Sequence, residues 1–322
     1  MKIKITLLLL LSAIAVWSCK KDKSTLPEVE TYTPEFVGSN AITIMCHVTS
    51  NGGSDFLECG IYVGDEADPE STGLKLMMGN DTGLWFGRLT GLSPETEYFL
   101  KAYALNGIGE NLGDEVSITT TARVNDYDAN IYETVKIGEK LWMAADLNTT
   151  HYLNGEAVET TTPGTLDISA EIEPAYHWVY EGGDVNKDEY GRLYTWYAVD
   201  DSRNVCPDGW HIPTDAEWTD LETYFGGYLY AGSYLKESGN IHWISPYNVD
   251  ATNISGFTAL PGGYRDATGV FELLRNEGYW WTATSSTTDK SWSRKIRASS
   301  SEVVRDGINK NWGLSVRCVK DN

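Results

Sequence analysis

Alternating apolar residues over the first third of the chain constrain its fold more than any other feature. The alternation is clearest at four positions, Ile42, Ile44, Cys46 and Val48. Turn residues follow at Asn51-Gly52-Gly53, and further apolar runs recur with no helical pattern between them. A period of two with hairpin punctuation predicts short antiparallel strands. We therefore predict an all-β sandwich over residues 31–122.

Length and composition narrow the fold and the function. A chain of 322 residues exceeds the usual single domain of ~100–200 residues, so we expect a second domain. Lys+Arg is 25 against 46 for Asp+Glu, a net charge of −21 that would repel a phosphate backbone and excludes a nucleic acid partner. The 12 Trp and 19 Tyr carry a polar group on an apolar ring, which favours carbohydrate or protein surfaces over lipid.

The beginning of the sequence has the pattern of a secretory signal. Two lysines precede an apolar run from Ile5 to Val16, which is too short to cross a bilayer of ~30 Å. The run is followed by Trp-Ser-Cys, which resembles the bacterial lipobox, whose cysteine is lipidated. We predict a signal peptide over 1–18, lipidation of Cys19 and a polar tether over 19–30.

A lipid on Cys19 predicts the location of the protein. Lys20 directly follows Cys19. An aspartate at this position would resemble the inner-membrane retention signal, and lysine does not. The charged residues that follow resemble the surface-export signals of Bacteroidota lipoproteins. We expect an outer membrane lipoprotein at the cell surface, anchored through its N-terminal lipid. The alternative is a conventionally cleaved signal with Cys19 paired to another cysteine.

The other four cysteines allow three disulfide pairings. A polar stretch before a fresh apolar run places a domain boundary near residues 123–128. Pairing within domains, in an oxidising compartment, joins Cys46 to Cys59 and Cys206 to Cys318. Free buried thiols are the alternative for each pair.

Residues 128–321 mix short strands, helical stretches and glycine-rich loops, which predicts an α+β domain rather than a parallel sheet. Strands are expected at Ile131–Ile137, Val270–Leu274, Tyr279–Thr284 and Leu314–Val319. A helix over Thr214–Phe225 begins with a capping box, because Thr214 precedes Glu217 by three residues. Trp218 lies on the apolar face of this helix and is expected in the core.

The segment from Gly91 to Tyr98 resembles a corner of fibronectin type III domains. It reads Gly-Leu-Ser-Pro-Glu-Thr-Glu-Tyr, a pattern in which the tyrosine hydroxyl meets the backbone across the turn. The resemblance implies a fibronectin type III-like sandwich that acts as a spacer or a protein-binding module.

Six segments of the second domain resemble the Fibrobacter succinogenes major paralogous domain, which occurs in lipoproteins of Bacteroidota and Fibrobacterota. They are Val135–Gly138, Tyr190–Ala198, Cys206–Trp218, Ser255–Arg265, Tyr279–Thr282 and Gly313–Val319. The family looks like a branch of the C-type lectin-like fold, so the resemblance implies that fold over 128–321. Two segments are also similar to the formylglycine-generating enzyme family, but Cys206 and Cys318 match positions of a structural bridge. The resemblance therefore implies no enzyme.

Motifs for catalysis and metal binding are few. The five histidines lack zinc-site spacing, and no hydrolase elbow, phosphate loop or dinucleotide fingerprint is present. The sequence singles out no carboxylate pair of the kind a glycosidase uses. Asp184, Asn186 and Asp188 place oxygen atoms at alternate positions, as Ca²⁺ loops do. We weigh a Ca²⁺ site there against a polar loop that binds no ion.

Tryptophans within the family pattern are expected in the core, namely Trp142, Trp196, Trp210, Trp280 and Trp281. Aromatic residues outside it are the candidates for stacking on a sugar, with half-exposed packing as the alternative. These candidates are Trp178, Tyr180, Tyr228, Tyr230 and Trp312.

We predict a non-enzymatic cell-envelope lipoprotein that presents a lectin-like recognition domain for glycan binding or adhesion. The alternative is a structural or accessory subunit of a surface protein assembly. Glycan binding requires surface aromatic rings beside carboxylate or amide groups, whereas assembly requires a contiguous apolar patch.

Overall fold

The computed structural model describes residues 23–244 and 246–321. The predicted signal peptide and Cys19 lie outside these residues. Among the described helices, none has the length and apolar character needed to span a membrane.

Short strands dominate the N-terminal part of the chain, together with one single-turn helix, α1. The elements are β1 (Glu28–Thr31), β2 (Val37–Gly38), β3 (Ala41–Ser50), β4 (Phe56–Gly64), α1 (Pro69–Thr72), β5 (Leu74–Gly79), β6 (Gly83–Thr90), β7 (Glu97–Asn106) and β8 (Glu110–Thr119).

Two antiparallel sheets pack face to face in this part, as the alternating pattern predicts. One sheet has the order β5-β4-β7-β8, and in the other β3 pairs with β1 and β6. Inward residues of both sheets form one apolar core, in which Ile42 and Ile61 are fully buried. The predicted tether over 19–30 is wrong at its end, because β1 begins at Glu28. Val29 already packs in the sandwich core, which explains the early start of the strand.

The corner after β6 has the tyrosine contact that the sequence pattern predicts. The Ser93 amide donates a hydrogen bond of 3.0 Å to the Tyr98 hydroxyl. The contact ties the turn to the first residues of β7.

The predicted disulfide between Cys46 and Cys59 is absent, since both thiols are free and buried. Cys46 lies in β3 and Cys59 in β4, strands of facing sheets, and each side chain packs as a small apolar group. The Cys46 sulfur lies 4.0 Å from Met78 Sδ, and the Cys59 sulfur lies 4.0 Å from the Asp81 carbonyl. Burial raises the pKa of Cys46 to about 12, so the thiol stays neutral.

The rest of the chain combines short strands with four α-helices and one 3₁₀ turn over Tyr180–Gly182. Its strands are β9 (Val124–Asn125), β10 (Ile131–Tyr132), β11 (Thr134–Ile137), β12 (Lys140–Met143), β13 (His177–Trp178), β14 (Leu193–Tyr194), β15 (Trp210–His211), β16 (Tyr264–Arg265), β17 (Phe271–Glu272), β18 (Glu277–Ser285), β19 (Lys290–Arg297), β20 (Val303–Asn309) and β21 (Val319–Lys320). Its helices are α2 (Asp184–Tyr190), α3 (Trp196–Val199), α4 (Asp215–Tyr224) and α5 (Tyr228–Leu235).

Predicted and observed elements of this part agree best where the local pattern is strong. Helix α4 has Thr214 as its N-cap and the full capping box with Glu217. The strand expected over Tyr279–Thr284 is present and longer, as β18, and it forms a three-stranded sheet with β19 and β20. The strand expected over Leu314–Val319 is instead a series of single bridges that ends in β21.

Strand β18 divides the apolar interior of the second part into two clusters. Trp280 faces the cluster beneath α4, and the next residue, Trp281, faces the opposite cluster, because successive strand side chains alternate. All five family-pattern tryptophans are buried, as expected. A disulfide joins Cys206 to Cys318 across 112 residues, and both cysteines lie in the cluster that contains Trp281.

The two parts of the chain share one sheet. Strand β2 pairs with β3 on one side and with β11 on the other, so hydrogen bonds run continuously from the sandwich into the second part. Phe36 crosses the boundary and packs in the cluster beneath α4.

Candidate functional site

Two of the five predicted contact aromatics are core residues, which corrects the prediction for them. Trp178 is 3% exposed, its Nε1 donates to Thr161 Oγ1 at 2.8 Å, and the Arg265 guanidinium lies 4.0 Å above its ring. Tyr180 is 8% exposed and packs edge-on against Phe271. Neither ring is free to stack on a ligand.

The other three predicted aromatics reach the surface to different extents. Tyr228 and Tyr230 are 52% and 58% exposed along α5. Trp312 is half-buried and stacks on Tyr264, with ring centroids 4.7 Å apart. These residues stay candidates for contact, although none of them lines the cavity described below.

The predicted Ca²⁺ triplet does not form a site, because Asp184, Asn186 and Asp188 lie on helix α2. A helix turns about 100° per residue, so alternate side chains diverge instead of converging. The Asp184 carboxylate is 98% exposed, and the Asn186 amide donates to the Tyr180 carbonyl at 3.1 Å.

A different acidic cluster, in the sandwich, already holds a lysine ammonium among its carboxylates. Asp68, Glu70 and Glu115 lie close together among the described residues. The Lys101 ammonium stands between them, 2.7 Å from Glu70 and within 4.0 Å of the other two carboxylates.

A surface cavity of about 480 Å³ in the second part brings an aromatic ring together with carboxylates and an ammonium. We call it the Tyr197 pocket. Its lining residues are Glu173, Ala175, Trp196, Tyr197, Asp200, Asp201, Ser285, Thr288 and Lys310.

Helix α3 positions the aromatic wall of the pocket. Trp196 is buried at the first helical position, and its Nε1 donates to the Thr282 carbonyl of β18 at 3.0 Å. Tyr197 follows on the outer side and stays half-buried, edge-on to the Trp196 ring. The anchored tryptophan therefore fixes the tyrosine that faces solvent.

Lys310 supplies the cationic group of the pocket. Its side chain is buried, and the ammonium lies 4.1 Å from the centre of the Trp196 ring. One ammonium hydrogen bond goes to the Thr288 carbonyl at 3.1 Å. An ammonium carries three donors, so this group has capacity for a further acceptor.

The carboxylates at the mouth differ in their environments. Partial burial raises the pKa of Asp200, and the positive charge of Lys310 opposes that rise without cancelling it. Asp201 is held by Arg203, with Nη2 at 2.6 Å from one carboxylate oxygen. Asp200 is exposed to solvent and lines the pocket, so its carboxylate is accessible to a ligand.

Comparison with known proteins identifies the domain that carries this pocket. The family model of the Fibrobacter succinogenes major domain matches residues 135–320. The chain belongs to this family. No curated protein matches the chain.

Among solved structures, the chain is similar to a crystal structure of the chicken CNTN1 FN1-FN3 domains. The two are 21% identical with a TM-score of 0.22 over 31% of this chain, and the match spans 32% of the chicken chain.

The residues of the Tyr197 pocket come from separate parts of the Fibrobacter succinogenes major domain. Trp196 and Tyr197 belong to one family segment. Ser285 ends β18, Thr288 lies in the turn before β19, and Lys310 directly follows β20. The sequence prediction treated Trp196 as core and overlooked the other residues. The local sequence signal for the site is Tyr197 followed by the two aspartates Asp200 and Asp201.

Proposed function

We propose that the protein is a non-enzymatic cell-envelope lipoprotein whose Fibrobacter succinogenes major domain binds glycans at the Tyr197 pocket. The observation that carries the proposal is the combination of a half-buried tyrosine ring with carboxylates and a lysine in one cavity. The family match supports a paralogous surface domain, and the C-type lectin-like fold is part of the proposal.

The chemistry of the pocket suits a sugar. The Tyr197 ring offers an apolar face for the C–H groups of a pyranose, and its hydroxyl offers a polar handle. Asp200 and Glu173 accept hydrogen bonds from sugar hydroxyls, and Lys310 donates to a sugar oxygen. Hydrogen bonds to charged groups are stronger than neutral ones, so two or three of them fix the orientation of a ligand.

The proposed location follows from the N-terminal sequence. A lipid on Cys19 would hold the protein at the outer membrane, and the polar residues between Cys19 and β1 would separate the sandwich from the bilayer. The sandwich would then act as a spacer that presents the major domain to the exterior.

A glycan array probed with the full-length protein tests the proposal. We expect binding to a subset of glycans without release of reducing sugar. The Tyr197→Ala and Asp200→Asn variants should each weaken binding by about tenfold or more, measured at a temperature at which circular dichroism shows both variants to be folded. Tyr228→Ala is the matched control, because it removes an exposed tyrosine outside the pocket. Binding that survives Tyr197→Ala but not Tyr228→Ala would move the site to α5.

An apolar patch on the sandwich favours a second function, as a subunit of a surface assembly. Met77 of β5 and Phe86 of β6 are 62% and 58% exposed. Both line a groove of about 420 Å³ between β5 and β6. Each of the two facing sheets contributes one of these strands. Exposed apolar side chains on strand edges are uncommon unless a partner covers them.

Cross-linking in intact envelopes separates the two functions. If the sandwich is an assembly surface, Phe86→Asp should remove cross-linked adducts while Tyr228→Asp keeps them. Glycan binding by the Phe86→Asp variant at the wild-type level would show that the two activities are independent.

A further inference from the structure

Two strands of the sandwich, β5 and β6, each leave one backbone edge without a neighbouring strand. Among the described strands, β5 pairs only with β4 and β6 pairs only with β3. Each therefore presents a row of amide and carbonyl groups of the kind that pairs with an added strand. Both edges border the groove described above, which is lined by residues 76–78 of β5, residues 86–90 of β6 and Ile44. We call it the β5–β6 groove.

Charge protects the opposite side of the sandwich and not this one. The strands at that opposite side, β1 and β8, together carry five carboxylates, Glu28, Glu30, Glu110, Asp114 and Glu115. Neither β5 nor β6 contains an acidic residue, although the chain has 46 of them. Charged side chains on an edge strand keep it from pairing with another chain. The β5–β6 side lacks acidic protection and is therefore suited to a partner.

Each of these two strands has one basic residue, and only that of β6 borders the groove. The Lys75 ammonium of β5 binds Glu110 at 2.8 Å and Glu58 at 3.1 Å, outside the groove lining. Arg88 of β6 lines the groove. Its guanidinium contacts the Asn253 carbonyl at 3.4 Å and forms no ion pair with any carboxylate of the described residues. The groove thus has a positive charge that a carboxylate of a partner would neutralise.

The interior of the β5–β6 groove is apolar, because the sandwich core opens between the two sheets. Ile44, Leu76 and Met78 lie in the core or pack against it, and they also line the groove. Phe86 and Met77 line it as well and are more than half exposed. An apolar side chain inserted from outside would contact the core and cover both exposed side chains.

The groove suits a single extended segment better than a second copy of this chain. A symmetric contact between two copies brings the same surface together, and two grooves do not fill each other. The N-terminal segment of the chain itself leads into β1, which pairs with the edge of β3 opposite to β6. An extended segment from another protein offers backbone groups along its edge and side chains on alternate residues. Along the eight residues of β6, such a strand spans about 27 Å.

We propose that the β5–β6 groove accepts an extended segment of another protein as an added strand. The segment pairs with the open edge of β6, inserts apolar side chains at alternate positions and places a carboxylate beside Arg88. The inference rests on the proposed role of the sandwich as an assembly surface, and it names the form of the partner. The added strand completes the hydrogen bonds of β6 and covers Phe86 and Met77.

Synthetic octapeptides test the proposal on the unmodified, full-length protein. The probe is Glu-Val-Thr-Val-Thr-Val-Thr-Glu, and its twin has Gln at both ends. Calorimetric titration should show saturable binding of the probe, and the Gln twin should bind about tenfold more weakly because it lacks a charged acceptor for Arg88. The net charge of −21 alone would favour the neutral twin. Tighter binding of the Gln twin would therefore overturn the role of Arg88.

Methylated backbone nitrogens test whether the probe pairs as a strand. One version of the probe is methylated at every Val nitrogen and the other at every Thr nitrogen, because alternate amides of a strand point to opposite edges. The version that lacks donors towards β6 should bind at least about tenfold more weakly, and the other should bind as the probe does. Hydrogen exchange should show that the probe slows amides of β6 and leaves those of β8 unchanged. Equal binding of both versions and the probe would overturn strand pairing.

Two variants of the protein locate the binding surface. Phe86→Asp should weaken binding of the probe by about tenfold, because it places a charge in the apolar groove. Ile108→Asp is the matched control, because Ile108 is 56% exposed on the sandwich outside the groove. Circular dichroism verifies that both variants are folded. Equal affinity of the Phe86→Asp variant and the wild type would overturn the proposal.

The peptide and cross-linking experiments fail independently. Absence of saturable binding at millimolar probe would overturn the added strand. If cross-linked adducts that depend on Phe86 still form in that case, the sandwich remains an assembly surface with a partner of another form. If the probe binds and no adducts form, the groove accepts a strand, and the proposed assembly in the envelope is wrong.

Discussion

Thr214 and Glu217 exchange hydrogen bonds at the start of α4. The Thr214 hydroxyl accepts from the Glu217 amide at 3.2 Å, and the Glu217 carboxylate accepts from the Thr214 amide at 2.9 Å. The same carboxylate meets His211 Nε2 at 3.0 Å and Lys140 Nζ at 3.1 Å. Burial alone would raise the pKa of Glu217, but these contacts together lower it from 4.5 to about 2.

The lowered pKa of Glu217 predicts a specific acid sensitivity. The folded-state pKa lies below the unfolded one, so the stabilisation is complete above pH 4.5 and is lost as the pH falls towards 2. Glu217→Gln should lower the free energy of unfolding by about 2 kcal/mol at pH 7, allowing for solvent screening. Urea unfolding at pH 7 and pH 3 should show this difference shrinking in acid. A difference that is constant with pH would contradict the assigned role.

The Arg294 guanidinium is fully buried and joins α4 to β19. It pairs with Asp215 at 2.7 Å and contacts the Glu222 carboxylate, whose pKa burial raises despite this contact. Arg294→Met should destabilise the protein by about 3–5 kcal/mol, because it leaves a buried carboxylate without its partner. The double variant Arg294→Met with Glu222→Leu should recover part of this loss in urea unfolding. No recovery would mean that packing, not charge, dominates here.

The disulfide between Cys206 and Cys318 predicts that stability depends on redox state. It closes a loop of 112 residues, and its reduction should lower the free energy of unfolding by about 2–5 kcal/mol. The melting temperature should fall in dithiothreitol for the wild type but not for a Cys206→Ala, Cys318→Ala variant. The two sandwich thiols should resist alkylation in the folded protein. Dithiothreitol sensitivity that persists in the double variant would reveal another bridge.

Local patterns predicted the elements that local interactions determine. The period-two alternation predicted the sandwich, and the spacing of Thr214 and Glu217 predicted the capping box. Both depend on residues close in sequence, where backbone geometry decides which side chains meet.

Long-range packing decided the features that the sequence misassigned. Trp178 has the local surroundings of a loop residue, but Arg265 covers its ring and Gly313 lies against its edge. Lys310 and Tyr197 are far apart in sequence, and only the fold places them in one pocket. Asp184, Asn186 and Asp188 alternate as a loop would, yet that stretch is a helix.

Lipidation predicts where the protein partitions in the cell. Cys19 lies outside the described residues, and the prediction depends on the lipobox-like sequence alone. Cys19→Ala should move the protein from the membrane fraction to the soluble fraction. Cys46→Ala, which removes a buried sandwich thiol, should leave it in the membrane fraction. Membrane association of the Cys19→Ala variant would show that another feature holds the protein there.

Two aromatic substitutions separate packing from recognition in the major domain. Trp178→Ala should destabilise the protein by about 3–5 kcal/mol, because it removes a buried ring and the contact of that ring with the Arg265 guanidinium. Tyr228→Ala should change the free energy of unfolding by no more than about 0.5 kcal/mol, since that ring is 52% exposed. Chemical denaturation of both variants provides the comparison. Equal stability of the two would place Trp178 at the surface and return it to the set of candidate sugar contacts.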